Sequence, residues 1–217
     1  MKIRLFLLPA ASILAAQIAS ATTNGFVVPS FRGAADSETG YWESFTVGVG
    51  APGNLAREGS TTGAVLSQSD PGGFITGSGN LYNLDGTSAF TVSDSTPFTL
   101  GTVVLQARTL GSELDYNSVV LTYNTGAGLQ TLAPLFRTEV DRGTILGASV
   151  SSVWQWDLQS LGVTDYTIAF NAAGPSLSFD SMTLDTWTGF EPVPEPSTYA
   201  LGCLGLGLLA LARWRRK

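Results

Sequence analysis

Short runs of alternating apolar and polar residues, closed by Gly, Asn, Asp or Ser, recur from Tyr41 to Trp187. A period of two places successive side chains on opposite faces of an extended strand, whereas a helix needs apolar residues three and four apart. Helical periodicity is nearly absent, so this patterning commits the chain to β structure. Along Tyr41–Val49 it puts Tyr41, Phe45, Val47 and Val49 on one face. Phe98–Ala107 reads as a strongly apolar strand around Val103, Val104 and Leu105. Val119, Leu121 and Tyr123 form one stripe, and Tyr166, Ile168 and Phe170 another. Shorter strands are expected at Ala64–Ser67, Gly79–Leu84, Ser88–Ser93, Leu129–Leu132 and Ser152–Leu158, with one helical turn at Asp157–Leu161 ended by Gly162. In Ser176–Trp187, Leu177 and Phe179 share one phase while Met182 and Leu184 share the other. Either a bulge near Asp180-Ser181 or burial of both faces reconciles them. About nine or ten short strands at regular spacing predict an all-β fold, a two-sheet jelly-roll-like sandwich. No internal repeat points to a solenoid or propeller.

The two ends read as addresses. Lys2 and Arg4 open an apolar stretch that runs from Ile3 to Ile18, and Ala19-Ser20-Ala21 supplies the small-x-small pattern of a signal-peptidase site. Residues 1–21 are therefore read as a signal peptide cut after Ala21, with Ala19 and Ala21 as the cleavage residues. An N-terminal anchor helix is the alternative. Residues 22–188 form the exported domain and 189–197 a proline-bearing linker. Pro192, Pro194 and Pro196 favour an extended, exposed backbone there, the form in which a protease or transpeptidase binds its substrate. Residues 198–212 are uncharged and read as a transmembrane helix. At about 1.5 Å per residue the helix spans roughly 22 Å, short of a hydrocarbon core of about 30 Å. Arg213, Arg215, Arg216 and Lys217 close the chain as a cytoplasmic stop, which puts the domain outside. A plain C-terminal anchor is the alternative to a processed tail.

Charge and composition exclude several functions. Thr22–Glu191 holds sixteen acids and five cations, all arginine: Arg32, Arg57, Arg108, Arg137 and Arg142. Such a surface repels phosphate backbones, so nucleic acid and anionic lipid are not expected partners. There is no histidine, and the one cysteine, Cys203, lies in the apolar tail. A Ser-His-Asp triad, a thiol nucleophile and the usual zinc sites are thereby excluded from the domain, and no internal disulfide supports it. A Ser-Lys dyad is excluded as well, because the domain contains no lysine.

A glycosidase-type carboxylate pair is the remaining catalytic option, and it needs two acids about 5–10 Å apart with split pKa values. Glu113 with Asp115, or Glu139 with Asp141, would share a strand face, although alternation makes such pairs common on a solvated face. Sugar rings stack on flat aromatics, and Trp42, Trp154, Trp156, Trp187, Tyr41 and Tyr82 supply them. Trp154 and Trp156 face one side if they lie on a strand, as a core pair or as a sugar-binding platform supported by Gln155 and Asp157. No metal site is assigned and no cofactor is expected. Calcium is compatible with the many hard oxygen ligands, as at Ser69-Asp70-Pro71-Gly72-Gly73, Asp94, Asp180 and Asp185, but Asp-Pro-Gly is first a turn signal.

Val193-Pro194-Glu195-Pro196-Ser197, then the apolar run, then Arg213-Trp214-Arg215-Arg216-Lys217, resembles the PEP-CTERM sorting signal, a tail also called the ice-binding protein C-terminal domain. The resemblance covers the tail alone and does not imply ice binding. It implies an exported protein of a Gram-negative bacterium. An exosortase-type enzyme would read Pro194, Glu195 and Pro196 while the chain is held in the inner membrane by its single C-terminal helix, then send it to the cell surface or exopolysaccharide matrix. The expected partners are that enzyme, signal peptidase and extracellular polysaccharide. The expected role is non-catalytic and structural or adhesive. A dedicated carbohydrate-binding module is the alternative, and a carboxylate-dependent glycan hydrolase or lyase ranks below both. The domain resembles jelly-roll carbohydrate-binding modules only in general pattern.

Overall fold

A computed structural model describes residues 22–23, 25–84, 86–143 and 149–193. The expected signal peptide with Ala19 and Ala21, the Pro194–Ser197 part of the motif, the expected span at 198–212 and the basic end at 213–217 lie outside these residues. Among the described residues the fold is all-β. Fifteen strands follow in order: β1 Thr22–Thr23, β2 Phe26–Val27, β3 Ser37–Trp42, β4 Asn54–Leu55, β5 Val65–Gln68, β6 Phe74–Ile75, β7 Leu81–Tyr82 and β8 Ala89–Ser95; then β9 Thr102–Gly111, β10 Val120–Asn124, β11 Leu129–Leu132, β12 Phe136–Gly143, β13 Ser149–Asp157, β14 Asp165–Asn171 and β15 Leu177–Trp187. One sheet runs β12-β13-β9-β15-β7-β6, with β3 also paired to β15; the other runs β11-β10-β14-β8-β5-β4. β1 and β2 form a separate short hairpin.

The two sheets pack face to face. Phe179 of β15 meets Phe90 at 4.8 Å and Phe170 at 5.8 Å between ring centroids, and both partners belong to the facing sheet. Leu105, Trp154, Trp156, Met182 and Leu184 join this core from one side, and Leu66, Val92, Leu121 and Ile168 from the other. The six-stranded sheet keeps a polar outer face, where the Ser93 and Thr167 hydroxyls bond at 2.9 Å. Its strands β8 and β14 accordingly show clean alternation. The seven-stranded sheet is covered on both faces, and β9, β13 and β15 carry near-continuous buried runs.

Both explanations for the phase change in the last strand hold together. Pairing of β15 with β9 shifts register between Phe179 and Ser181, and Ser181–Thr186 is buried on both faces. The Tyr41–Val49 strand is corrected, because β3 ends at Trp42. Beyond it, Asn54 Oδ1 accepts the Thr46 and Val47 N–H groups at 2.8 and 2.9 Å, so a side chain replaces a ladder there. Phe45 is buried all the same. The apolar strand expected at Phe98–Ala107 begins later and runs further, as β9. Asp157–Leu161 makes a single turn, with the Leu161 N–H donating to the Leu158 carbonyl at 3.1 Å before Gly162 at φ +69°. β12 had no counterpart in the sequence pattern. It is rich in charge, and a register shift between Glu139 and Asp141 breaks its alternation.

Candidate functional site

Beyond β15 the chain crosses the outer face of the seven-stranded sheet and reaches the start of the proline-rich strip. Trp187 stacks on Phe31, with centroids 5.3 Å apart and planes 10° apart. Gln155 of β13 points outward and donates from Nε2 to the Glu191 carbonyl at 2.6 Å, while its Oε1 accepts the Val193 N–H at 2.8 Å. Pro192, which has no N–H to satisfy, sits between them. Gln106 on the adjacent β9 treats the N-terminal segment alike. It accepts the Val27 N–H and donates to the Val27 carbonyl, both at 2.8 Å. A glutamine side chain has the donor and acceptor of a peptide group, so each one serves an extended segment as a strand edge would. Val193 is buried against Val27, Phe31, Val104 and Val153. The Ser30 hydroxyl adds a 2.6 Å bond to the Glu191 carboxylate. The fold thus holds the chain as far as Val193, the first residue of the expected sorting motif.

The tryptophan platform is corrected. Trp154 and Trp156 have no exposed surface. Trp156 donates its indole N–H to the Leu132 carbonyl of the facing sheet at 3.1 Å, and Tyr116 packs on Trp154 at 5.5 Å. A ring without exposed surface cannot stack on a sugar, so these two form the core pair. Gln155, their expected polar support, turns to the other face and binds the strip, while Asp157 accepts the Gln159 N–H in the following turn. Trp42 is also buried and donates to the Asn54 carbonyl at 2.9 Å. Tyr41 lies between the Arg32 and Arg57 guanidiniums, 5.2 and 5.1 Å from its ring centroid. Tyr82 packs edge-on to Phe74.

One acid of each expected pair meets arginine. Arg142 binds Glu113 at 2.8 Å and Glu139 at 2.9 Å, and its hydrogen bonds hold the Glu139 carboxyl below its ordinary value. A general acid needs the opposite shift. The bulge between Glu139 and Asp141 also removes the shared face that strict alternation gave them. Asp180 lies 3.7 Å from Arg108 and accepts from Asn80. Asp185 is fully buried and takes two 2.7 Å bonds from Arg32 and one of 2.9 Å from Thr39. Burial raises its carboxyl, and the guanidinium fork pulls it back. Asp70 makes the turn its Pro-Gly context signals, accepting the Gly72 N–H at 3.0 Å. No group of three or more His, Cys, Asp or Glu side chains suited to a metal ion occurs among the described residues.

Asp94 stands apart from these pairs. Its Oδ2 accepts from Thr62 at 2.9 Å and Tyr166 at 3.2 Å, while its Oδ1 and the Glu38 Oε2 are shut off from solvent without partners. Burial raises the Glu38 carboxyl above its ordinary value, and the Asp94 charge adds to the shift. A raised folded-state value means stability is fullest below the ordinary value near 4.5 and falls as pH rises through the folded one. Glu38→Gln is expected to raise Tm at neutral pH and to flatten its decline above about pH 4.5. Melting curves of both proteins across pH check this, and parallel declines would refute it.

Residues 192–217 match the family described as PEP-CTERM protein-sorting motif. No curated protein and no solved structure matches the chain. The matched segment begins at Pro192, inside the strip that Gln155 holds. The chain carries a PEP-CTERM protein-sorting motif, the signal of a protein exported toward the cell envelope and sorted through an exosortase.

Proposed function

We propose that this is a non-catalytic protein of the cell surface or extracellular matrix of a Gram-negative bacterium. In this reading it is held in the inner membrane by residues 198–212, processed at the tail, and retained by structural or adhesive association with extracellular polysaccharide. The observation that carries the reading is the sorting motif at 192–217, which directly follows a compact two-sheet domain. Arginine pairing of Glu113, Glu139 and Asp185 favours a structural part for these acids over a catalytic one.

The test expresses the full chain in a host with an exosortase, fractionates the cells and measures the mass of the mature protein. Loss of both the signal peptide and the tail, with recovery in the surface or matrix fraction, is expected. An intact C-terminus ending at Lys217, or an unchanged destination after deletion of residues 194–217, would remove the sorting reading. Failure to co-purify with matrix polysaccharide would remove the adhesive part alone.

A dedicated carbohydrate-binding module is the second reading. One feature favours it: an open concavity lined by Glu113, Asp115, Tyr116 and Asn117, which sets an aromatic residue beside several hydroxyl-bonding groups. Glycan-array binding lost in Asn117→Ala would favour it over a purely structural role.

A further inference from the structure

We propose that the outer face of the seven-stranded sheet is an intramolecular docking site for the sorting strip, with Gln155 as its latch. Release of Glu191–Val193 from that latch sets how fast an exosortase processes the folded protein. The inference rests on the sorting reading above and adds a step to it.

The strip has few backbone donors. Between Pro192 and Ser197 every second residue is proline, so only Val193, Glu195 and Ser197 carry an N–H. The folded domain already uses the first of these, through Gln155 Oε1 at 2.8 Å, and it also holds the Glu191 carbonyl, through Nε2 at 2.6 Å. Val193 is 5% exposed. An enzyme that binds its substrate in extended form needs the same groups and the same side chain, so docking and processing compete for one segment.

Reach sharpens the competition. Only Pro194, Glu195, Pro196 and Ser197 separate the docked Val193 from the apolar run that starts at Thr198. Four residues extend at most about 14 Å, at about 3.3–3.6 Å each. A membrane-embedded enzyme working on this strip therefore meets the domain itself unless the strip lifts off. Lifting Glu191–Val193 lengthens the free segment and exposes the groups that Gln155 held, without unfolding either sheet. Gln106 presents the same chemistry one strand away. Its paired bonds to Val27 match those of Gln155 in kind and in face, yet they hold the N-terminal segment.

The experiment follows conversion of precursor to mature protein by pulse-chase in cells carrying an exosortase, using the full chain. Gln155→Ala is expected to speed conversion about tenfold, equivalent to about 1.4 kcal/mol of docking, while Ser93→Ala, on the outer face of the opposite sheet, stays near the parent rate. In the purified full chain in micelles, the Val193 amide should exchange faster in Gln155→Ala while strand amides of β9 keep their protection. A six-residue Gly-Ser insertion between Phe190 and Glu191 leaves Gln155 and the whole motif unaltered and lengthens the tether, so the strip redocks less readily. It should also speed conversion, and it decides the matter if Gln155→Ala does not fold. Unchanged or slower conversion in Gln155→Ala with a freely exchanging Val193 amide would overturn the proposal, as would an insertion that changes nothing. If no variant is converted, the parent included, the sorting reading itself has failed.

Discussion

Trp156→Ala is expected to destabilise the domain by about 3–5 kcal/mol, the range for removing a buried tryptophan. Trp156 has no exposed surface, and its indole N–H ties β13 to the Leu132 carbonyl across the sandwich. Truncation would therefore open a cavity between the sheets and leave that carbonyl without its donor. Against a total stability of about 5–15 kcal/mol, such a loss brings a domain of this size close to unfolding, with a fall in Tm of about 10 °C or more. Trp156→Phe should recover most of the packing and none of the hydrogen bond, and so fall between the two. Urea titration of all three proteins measures this. A Trp156→Ala domain that melts like the parent would show that the ring is not part of the core.

Asp185→Ala should be nearly as costly, at about 3–5 kcal/mol, for an electrostatic reason. The alanine would strand the Arg32 guanidinium, whose side chain is 14% exposed, beside a fully buried position with no carboxylate to face. Thr39 would lose its acceptor as well. The double variant Arg32→Met, Asp185→Leu removes both charges together and is expected to lie within about 1–2 kcal/mol of the parent, because a buried ion pair gives back in attraction little more than its desolvation costs. A double-mutant cycle in urea separates the two cases. If Asp185→Ala alone costs under about 1 kcal/mol, Arg32 escapes to water and the pair does not anchor the N-terminal segment.

Local pattern revealed the longer strands of the sheet whose outer face meets water. Tyr166, Ile168 and Phe170 alternate with polar residues because β14 belongs to the sheet with a hydroxylated outer face, and β14 lies where the stripe put it. The pattern misled where both faces are buried or a bulge intervenes. β12 escaped notice because Arg137, Glu139, Asp141 and Arg142 interrupt it while Phe136 and Val140 pack under the terminal segments. The pair Trp154 and Trp156 shares a face under any strand reading, but alternation cannot say whether that face is core or surface. Gln106 and Gln155 carried an unread signal. An amide amid VVLQAR or VWQWD must find a partner if both faces of its strand are covered, and the covering segments lie far away in sequence.

The sequence alone bounded the chemistry and marked the chain for export. Composition removed histidine, thiol and lysine catalysis from the domain, period-two patterning required sheets, and the final residues spelled the sorting motif, because each of these depends only on residue identity and near-neighbour order. Tertiary structure alone decided which aromatics are core, which acids are neutralised, and that Val193 is held against the sheet by a glutamine 38 positions earlier. Those outcomes depend on which distant segments share a surface. Burial and hydrogen-bond pairing are properties of that shared surface, and no local stretch of chain contains them.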